Sequence, residues 1–263
     1  MKAKKSLGQH FLRSERALDL IVKAGDIKPE DIILEIGPGT GVLTEKLLET
    51  GAKVIAVEKD DGLFRFLQEK FARKIRQGKL DLVHGDILDF NPEILKFYKN
   101  HDYKLIANIP YNITGAILEK FLSADQQPEL MVLLVQKEVA QRIVAKDNKE
   151  SILSVSVKAY GKPVYIEPVK AGSFAPAPKV DSAIIAIEGI SKDFFRNFPE
   201  KGFFRLLRTG FKAKRKKLLS NLSLIFEKEK VKEAFQGLNL DENTRAEELP
   251  VEMWQQLASI LIK

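Results

Sequence analysis

Apolar positions along this chain follow two patterns, one after the other. Up to about residue 187 they gather in short, nearly unbroken runs: 31–36 (Asp-Ile-Ile-Leu-Glu-Ile), 54–57, 80–83, 104–107, 130–135 and 182–187. Runs of this length, bounded by Gly, Asp or Pro, predict buried strands. Between them the spacing turns helical. Residues 42–50 predict a helix, and from Gly62 to about Arg73 the apolar Leu63, Phe64, Leu67 and Phe71 share one face. Apolar strands alternating with helices imply a parallel sheet covered on both faces. Residues 173–180 carry Pro176 and Pro178 and predict an irregular loop before the last strand. From Phe194 the strand signal stops. Phe203, Leu206 and Leu207, then Leu218, Leu219, Leu222, Ile225 and Phe226, fall at helical spacing. So do Val231, Ala234 and Phe235, and Met253, Trp254, Leu257, Ile260 and Leu261. The pattern predicts an α/β domain over 1–189 and a small all-helical domain over 190–263.

The chain has 263 residues, 44% of them hydrophobic, enough for a sizeable core. Charges interrupt every apolar stretch before it reaches membrane-spanning length. The basic start, Met1 to Ser6, has no apolar segment after it, which argues against a secretory signal. Cysteine is absent, so disulfides, thiolate nucleophiles and cysteine metal sites are excluded. No metal is called for, no membrane association is expected, and a cytoplasmic monomer is the expectation. The net charge of +7 is uneven. From Ile190 onward there are 15 basic and 10 acidic residues, against 28 and 26 before it. A basic excess confined to one end suggests a polyanionic partner, although a solvated surface gives the same count.

Chemistry collects where the predicted strands end. In open α/β sheets ligands bind at the carboxyl ends of the strands, and Gly37, Glu58, Asp86 and Asn108 all fall there. Glycines between a strand and a helix let backbone approach a ligand without a Cβ clash. Here they are Gly37, Gly39 and Gly41, followed by Val42. The third glycine comes one place too early for the dinucleotide fingerprint. Glu35-x-Gly-x-Gly-x-Gly is instead similar to the first motif of S-adenosylmethionine-dependent methyltransferases. Glu58, at the end of the second strand, is placed for a ribose diol. Asp86 either accepts from the cofactor's adenine amino group or caps a turn over 86–89.

The tetrapeptide Asn108-Ile109-Pro110-Tyr111 ends the fourth strand. An exocyclic amine on adenine is a poor nucleophile, because its lone pair is delocalised into the ring. Acceptors on its two N–H groups would favour a more tetrahedral nitrogen. The Asn108 side-chain oxygen and the Ile109 carbonyl are the candidates, with Pro110 holding the turn. Tyr111 offers a flat face for the base. Attack then needs proximity and orientation rather than a strong base. A lone tetrapeptide of this kind is more often an ordinary turn with a buried Tyr; its place at a strand end favours the catalytic reading.

With these motifs in order, the chain resembles the rRNA adenine N6,N6-dimethyltransferase family, the KsgA-type small-subunit branch in particular. Ser6 to Leu12, Glu35 to Thr44, Val57 to Asp60, Gly85-Asp86, Asn108 to Asn112, Gln136 to Val139 and Phe174 to Ala183 carry the likeness. It implies a Rossmann-like S-adenosylmethionine-dependent methyltransferase sheet over 1–189 and a helical RNA-binding domain over 190–263. It implies that Gln9, His10 and Leu12 close over the cofactor and that Lys59 and Ile87 join Gly37, Gly39, Gly41, Glu58, Asp86 and Asn108 in holding it. It also implies that Phe174 stacks on the target adenine opposite Tyr111. Three positions depart from the pattern: His10 where many members have Asn, Thr114-Gly115 where Ser-Thr is usual, and Ser151 to Val155, which lacks a Tyr-Gly.

Phe211 to Leu222 and Arg245 to Leu249 resemble the branch that modifies two adjacent adenines in a hairpin loop near the 3′ end of small-subunit rRNA. Between Arg196 and Lys217 lie nine basic residues and one acid, interleaved with phenylalanines. Arg208, Lys212, Lys214, Arg215, Lys216 and Lys217 are the candidate RNA contacts; Lys2, Lys4, Lys5 and Arg13 form a second basic group. The expected partner is the small ribosomal subunit, with the adenine splayed out of its stack. Large-subunit rRNA methylation and DNA adenine methylation stay open. So does a catalytically idle RNA-binding factor on the same scaffold.

Overall fold

The computed structural model describes residues 9–97 and 102–262. Lys2, Lys4, Lys5 and Ser6 to Gly8 lie outside the described residues. In chain order the elements are β1 (Phe11–Leu12), α1 (Glu15–Ala24), β2 (Ile32–Ile36), α2 (Val42–Glu49), β3 (Lys53–Glu58), α3 (Asp61–Lys70), α4 (Ala72–Arg76) and β4 (Leu80–His84). Then come β5 (Lys104–Asn108), α5 (Thr114–Ser123), β6 (Leu130–Gln136), α6 (Lys137–Val144), α7 (Ile152–Lys158), β7 (Lys162–Val169), β8 (Phe174–Ala175) and β9 (Ser182–Glu188). Last are α8 (Glu200–Gly210), α9 (Leu218–Leu222), α10 (Lys228–Gly237) and α11 (Val251–Leu261).

Seven strands form one sheet in the order β4-β3-β2-β5-β6-β9-β7. The sheet is not wholly parallel. Contacts among β4, β3, β2, β5 and β6 are parallel, whereas β9 runs antiparallel to both of its neighbours. A strand that enters between β6 and β7 from the opposite end reads as the same apolar run, so its direction left no trace in the pattern. Strand β7 carries no clear strand pattern in the sequence, because Pro163, Glu167 and Pro168 break its apolar alternation. As an edge strand it tolerates proline. The stretch 173–180 is also not wholly irregular. Phe174 and Ala175 form β8, which pairs with β1 in a small ribbon.

Register brings the strand ends level. Lys104, at the start of β5, is buried and gives Nζ to Asp31 Oδ2 and to the Asp26 carbonyl, each at 2.7 Å. A buried pair of this kind stabilises one alignment, since a slip would strand a charge. Ile33 then faces Lys104 and Leu34 faces Leu105. Carried forward, that register sets Asn108 beside Gly37. On the other side Ile36 faces Val57, and the Gly37 N–H donates to the Val57 carbonyl at 2.9 Å. The Gly85 N–H donates to the Glu58 carbonyl at 3.0 Å.

Residue contacts divide the chain into two units. The first takes 9–140 and 162–190, the second 141–161 and 191–262. The expected cut at 189/190 thus falls one residue later, and residues 141–161 belong with the helical unit. Val155 of α7 and Ala159, just after it, are buried in one cluster with Phe203, Leu207, Phe235 and Trp254. Helix α7 starts on a Ser151 capping box, and its short run carries no mark of the unit it joins. In the helical unit Asn221 is 3% exposed and donates to the Gly210 and Ala213 carbonyls at 2.6 and 3.2 Å. It thereby pins the turn that holds Lys212 and Lys214. No helix among the described residues is long and apolar enough to cross a membrane.

Candidate functional site

A cavity opens over the carboxyl ends of β2, β3, β4 and β5, with the amino-terminal segment as one wall. It is lined by Gln9, His10, Leu12, Gly37, Gly39, Glu58, Lys59, Asp86, Ile87, Asn108, Ile109, Pro110 and Tyr111 among others. Thirteen separate expectations thus meet in one place. Gly41 and Phe174 do not line it.

The three glycines do different work. Gly37 has φ +61°, and a Cβ there would meet nothing within 4 Å. Its bare backbone faces open space, as a ligand cradle requires. Gly41 has φ +76°, and a Cβ would come within 2.6 Å of the Phe71 ring and 2.9 Å of Leu67. It is glycine so that α2 can start against α3, a packing requirement that the glycine pattern alone does not distinguish from ligand contact.

Glu58 organises this loop. Oε2 accepts from the Gly39 N–H at 3.0 Å and Oε1 from the Asp60 N–H at 2.8 Å. Burial raises its carboxyl above the ordinary range, opposed by those backbone donors. Each oxygen still has a lone pair for a ligand hydroxyl. Behind it Glu35 is 1% exposed, and its Oε2 lacks a hydrogen-bond partner. Burial pushes this carboxyl up to about 8; a nearby Thr44 hydroxyl works against the rise and the Glu58 charge adds to it. Held neutral, this carboxyl offers the cavity wall a hydrogen-bonding group rather than a charge.

Asp86 caps the turn, the second of its two expected roles, and pairs with Lys59. Oδ1 accepts from the Leu88 N–H at 2.9 Å, capping the turn, and Oδ2 takes the Lys59 ammonium at 2.6 Å. The Lys59 bond, then the Leu88 N–H, hold its carboxyl below the ordinary value. Lys59 therefore sits on the cavity rim as the partner of Asp86.

The tetrapeptide is held from several sides. Asn108 Nδ2 donates to the His10 carbonyl at 3.2 Å. A carbonyl can only accept, so this contact sets the amide's orientation and leaves Asn108 Oδ1 as a free-facing acceptor. Ile109 is buried at 1% exposure, and Pro110 has φ −58°. The Tyr111 hydroxyl is 2.6 Å from Ser182 Oγ, which anchors the ring from β9. Burial raises the Tyr111 phenol, opposed by Ser182. Ser182 itself gives no sign in sequence beyond opening a strand.

Phe174 is 4% exposed and packs in the core beside Leu12. The β1–β8 pairing turns it inward, so in this structure it presents no face for a base. The six basic candidates are all exposed. Arg208 lies in the last turn of α8, and Lys212, Lys214, Arg215, Lys216 and Lys217 follow on the turn before α9.

Comparison with known proteins agrees with this geometry. The family described as Ribosomal RNA adenine dimethylase matches residues 1–263. A Ribosomal RNA small subunit methyltransferase A from Dehalococcoides mccartyi is 44% identical over 98% of this chain and 88% of the relative. One of the same name from Nostoc sp. is 38% identical over 99% and 98%. Among solved structures, a dimethyladenosine transferase from Plasmodium falciparum superposes with a TM-score of 0.80 at 29% identity, covering 94% of this chain and 96% of that one. The 23S rRNA methyltransferase ErmE has a TM-score of 0.77 at 23% identity over 95% and 99%, a likeness of fold. A whole-length family match, close relatives and a cavity floored by the expected motifs converge: the chain belongs to the ribosomal RNA adenine dimethylase family.

Proposed function

We propose that this chain dimethylates the exocyclic N6 of two adjacent adenines in a hairpin loop near the 3′ end of small-subunit rRNA, using S-adenosylmethionine, during small-subunit biogenesis. The observation that carries the reading is the Asn108 amide, fixed by the His10 carbonyl with its oxygen left over, beside an anchored Tyr111. Relatives named for the small subunit, at 37–44% identity, support the branch.

Gly37, Glu58 and Asp86 are the residues that would hold the cofactor. When bound, it supplies a methyl group on a sulfonium, an electrophile activated without a metal. The protein's part is to present the amine. Asn108 Oδ1 accepts from one N–H of the target and the Ile109 carbonyl from the other, turning the lone pair out of ring conjugation. Tyr111 gives the base a surface, which fixes the angle of approach. The N–H proton leaves after the N–C bond forms, because an alkylated arylammonium is strongly acidic. A strong base is therefore not needed. The exposed basic turn from Lys212 to Lys217 binds rRNA phosphates from the helical unit.

Methyl-labelled S-adenosylmethionine supplied with unmodified small and large ribosomal subunits, followed by nucleoside mass spectrometry, tests this. Dimethyladenosine is expected in the small subunit only. Product confined to the large subunit would move the chain to that branch. No product in either would point to the idle scaffold.

A further inference from the structure

The side chain of His10 takes no part in the chemistry just described, yet it is one of the most tethered on the cavity wall. Its ring stacks on Tyr111 with centroids 6.0 Å apart and planes 20° apart. Nδ1 is 2.8 Å from the Pro176 carbonyl, to which it donates as Nδ1–H. Its own carbonyl receives the Asn108 amide. The next residues, Phe11 and Leu12, pair with Ala175 and Phe174, and the Arg13 N–H donates to the Ser173 carbonyl at 2.8 Å. Tyr111 cannot swing to another partner, because Ser182 holds its hydroxyl.

We infer that His10 occupies the face of Tyr111 that the target base uses, and so acts as a gate that the base must displace. This rests on the proposed role of Tyr111. The Asn108 oxygen and the Tyr111 ring must both reach one base, and the imidazole already lies along that ring, next to that amide. Phe174, the other expected stacking partner, is buried by the same ribbon that anchors His10. Displacing His10 pulls on the ladder that holds Phe174 inward, so one event would free both aromatic faces. The apparent dissociation constant is the intrinsic one divided by the fraction of molecules with the gate open. Every adenine substrate bears this cost by the same factor.

The test compares wild type with His10→Ala, which removes the ring, and His10→Asn, which removes the ring but keeps a donor for Pro176. Initial rates are measured on unmodified small subunits and on a short unstructured adenine-containing RNA, with cofactor affinity by calorimetry. Both variants should lower KM for the subunit about three- to tenfold at saturating cofactor, the factor set by loss of one competing aromatic stack. Methylation of the unstructured RNA should rise in both. Because His10 also lines the cavity, cofactor affinity is measured for each variant and rates are taken with cofactor saturating, so that a change in cofactor binding does not enter KM for the RNA. An unchanged or raised KM in both variants, with wild type making dimethyladenosine, overturns the gate and leaves the proposed function standing. A wild type that makes no dimethyladenosine overturns the proposed function, and the gate with it.

Discussion

Replacing Glu35 by Gln should change how stability depends on pH. Glu35 is 1% exposed, and burial pushes its carboxyl from 4.5 to about 8. Below pH 4.5 the group is protonated in both the folded and the unfolded chain and contributes nothing. Between 4.5 and 8 the folded chain keeps a proton that the unfolded chain releases. The unfolded state then binds fewer protons, so stability falls as pH rises. At about 1.4 kcal/mol per pH unit the penalty reaches roughly 3 kcal/mol at pH 7 and levels off near 5 kcal/mol above pH 8. These are upper figures, since water entry relaxes a buried charge. Glutamine keeps the shape and cannot ionise. Urea unfolding at pH 5, 6, 7 and 8.5 is the assay. The stability difference between Glu35→Gln and wild type should widen by roughly 2–3 kcal/mol between pH 5 and 7, with other titrating groups cancelling in the subtraction. Parallel curves for the two proteins would refute the assignment of a buried, neutral Glu35.

Three further outcomes follow from the site. Asn108→Ala should cut methyl transfer about 100-fold or more, because one preorganised acceptor is lost, while filter binding shows RNA affinity nearly intact. Gly41→Ala should cost about 2–4 kcal/mol in denaturant unfolding, from left-handed strain and the clash with Phe71, whereas Gly37→Ala should chiefly weaken cofactor binding in calorimetry. Changing Lys214, Arg215, Lys216 and Lys217 together to Ala should weaken RNA binding. The slope of log affinity against log salt should shrink by up to about 3, and an unchanged slope would return that turn to a solvated surface.

The sequence by itself determined the alternation of strands and helices, the switch to helices after residue 190, and four strand ends carrying Gly37, Glu58, Asp86 and Asn108. These follow from local rules: apolar runs of strand length, helical periodicity, and glycines where backbone must turn. Contacts between segments far apart in the chain were decided only by the tertiary structure. The reversed direction of β9 and the edge position of β7 depend on which neighbours they pair with. Residues 141–161 join the helical unit through packing of Val155 and Ala159, which any amphipathic run would permit. Gly41 looks like Gly37 in the sequence, but one backs onto Phe71 and the other onto open space. Phe174 looks like a stacking partner until its pairing with Leu12 turns it inward. The Asn108 amide acquires its orientation from a carbonyl 98 residues away, and Tyr111 its anchor from Ser182, 71 residues away. Residue types announce what chemistry is available, whereas orientation and access are properties of neighbours that only folding brings together.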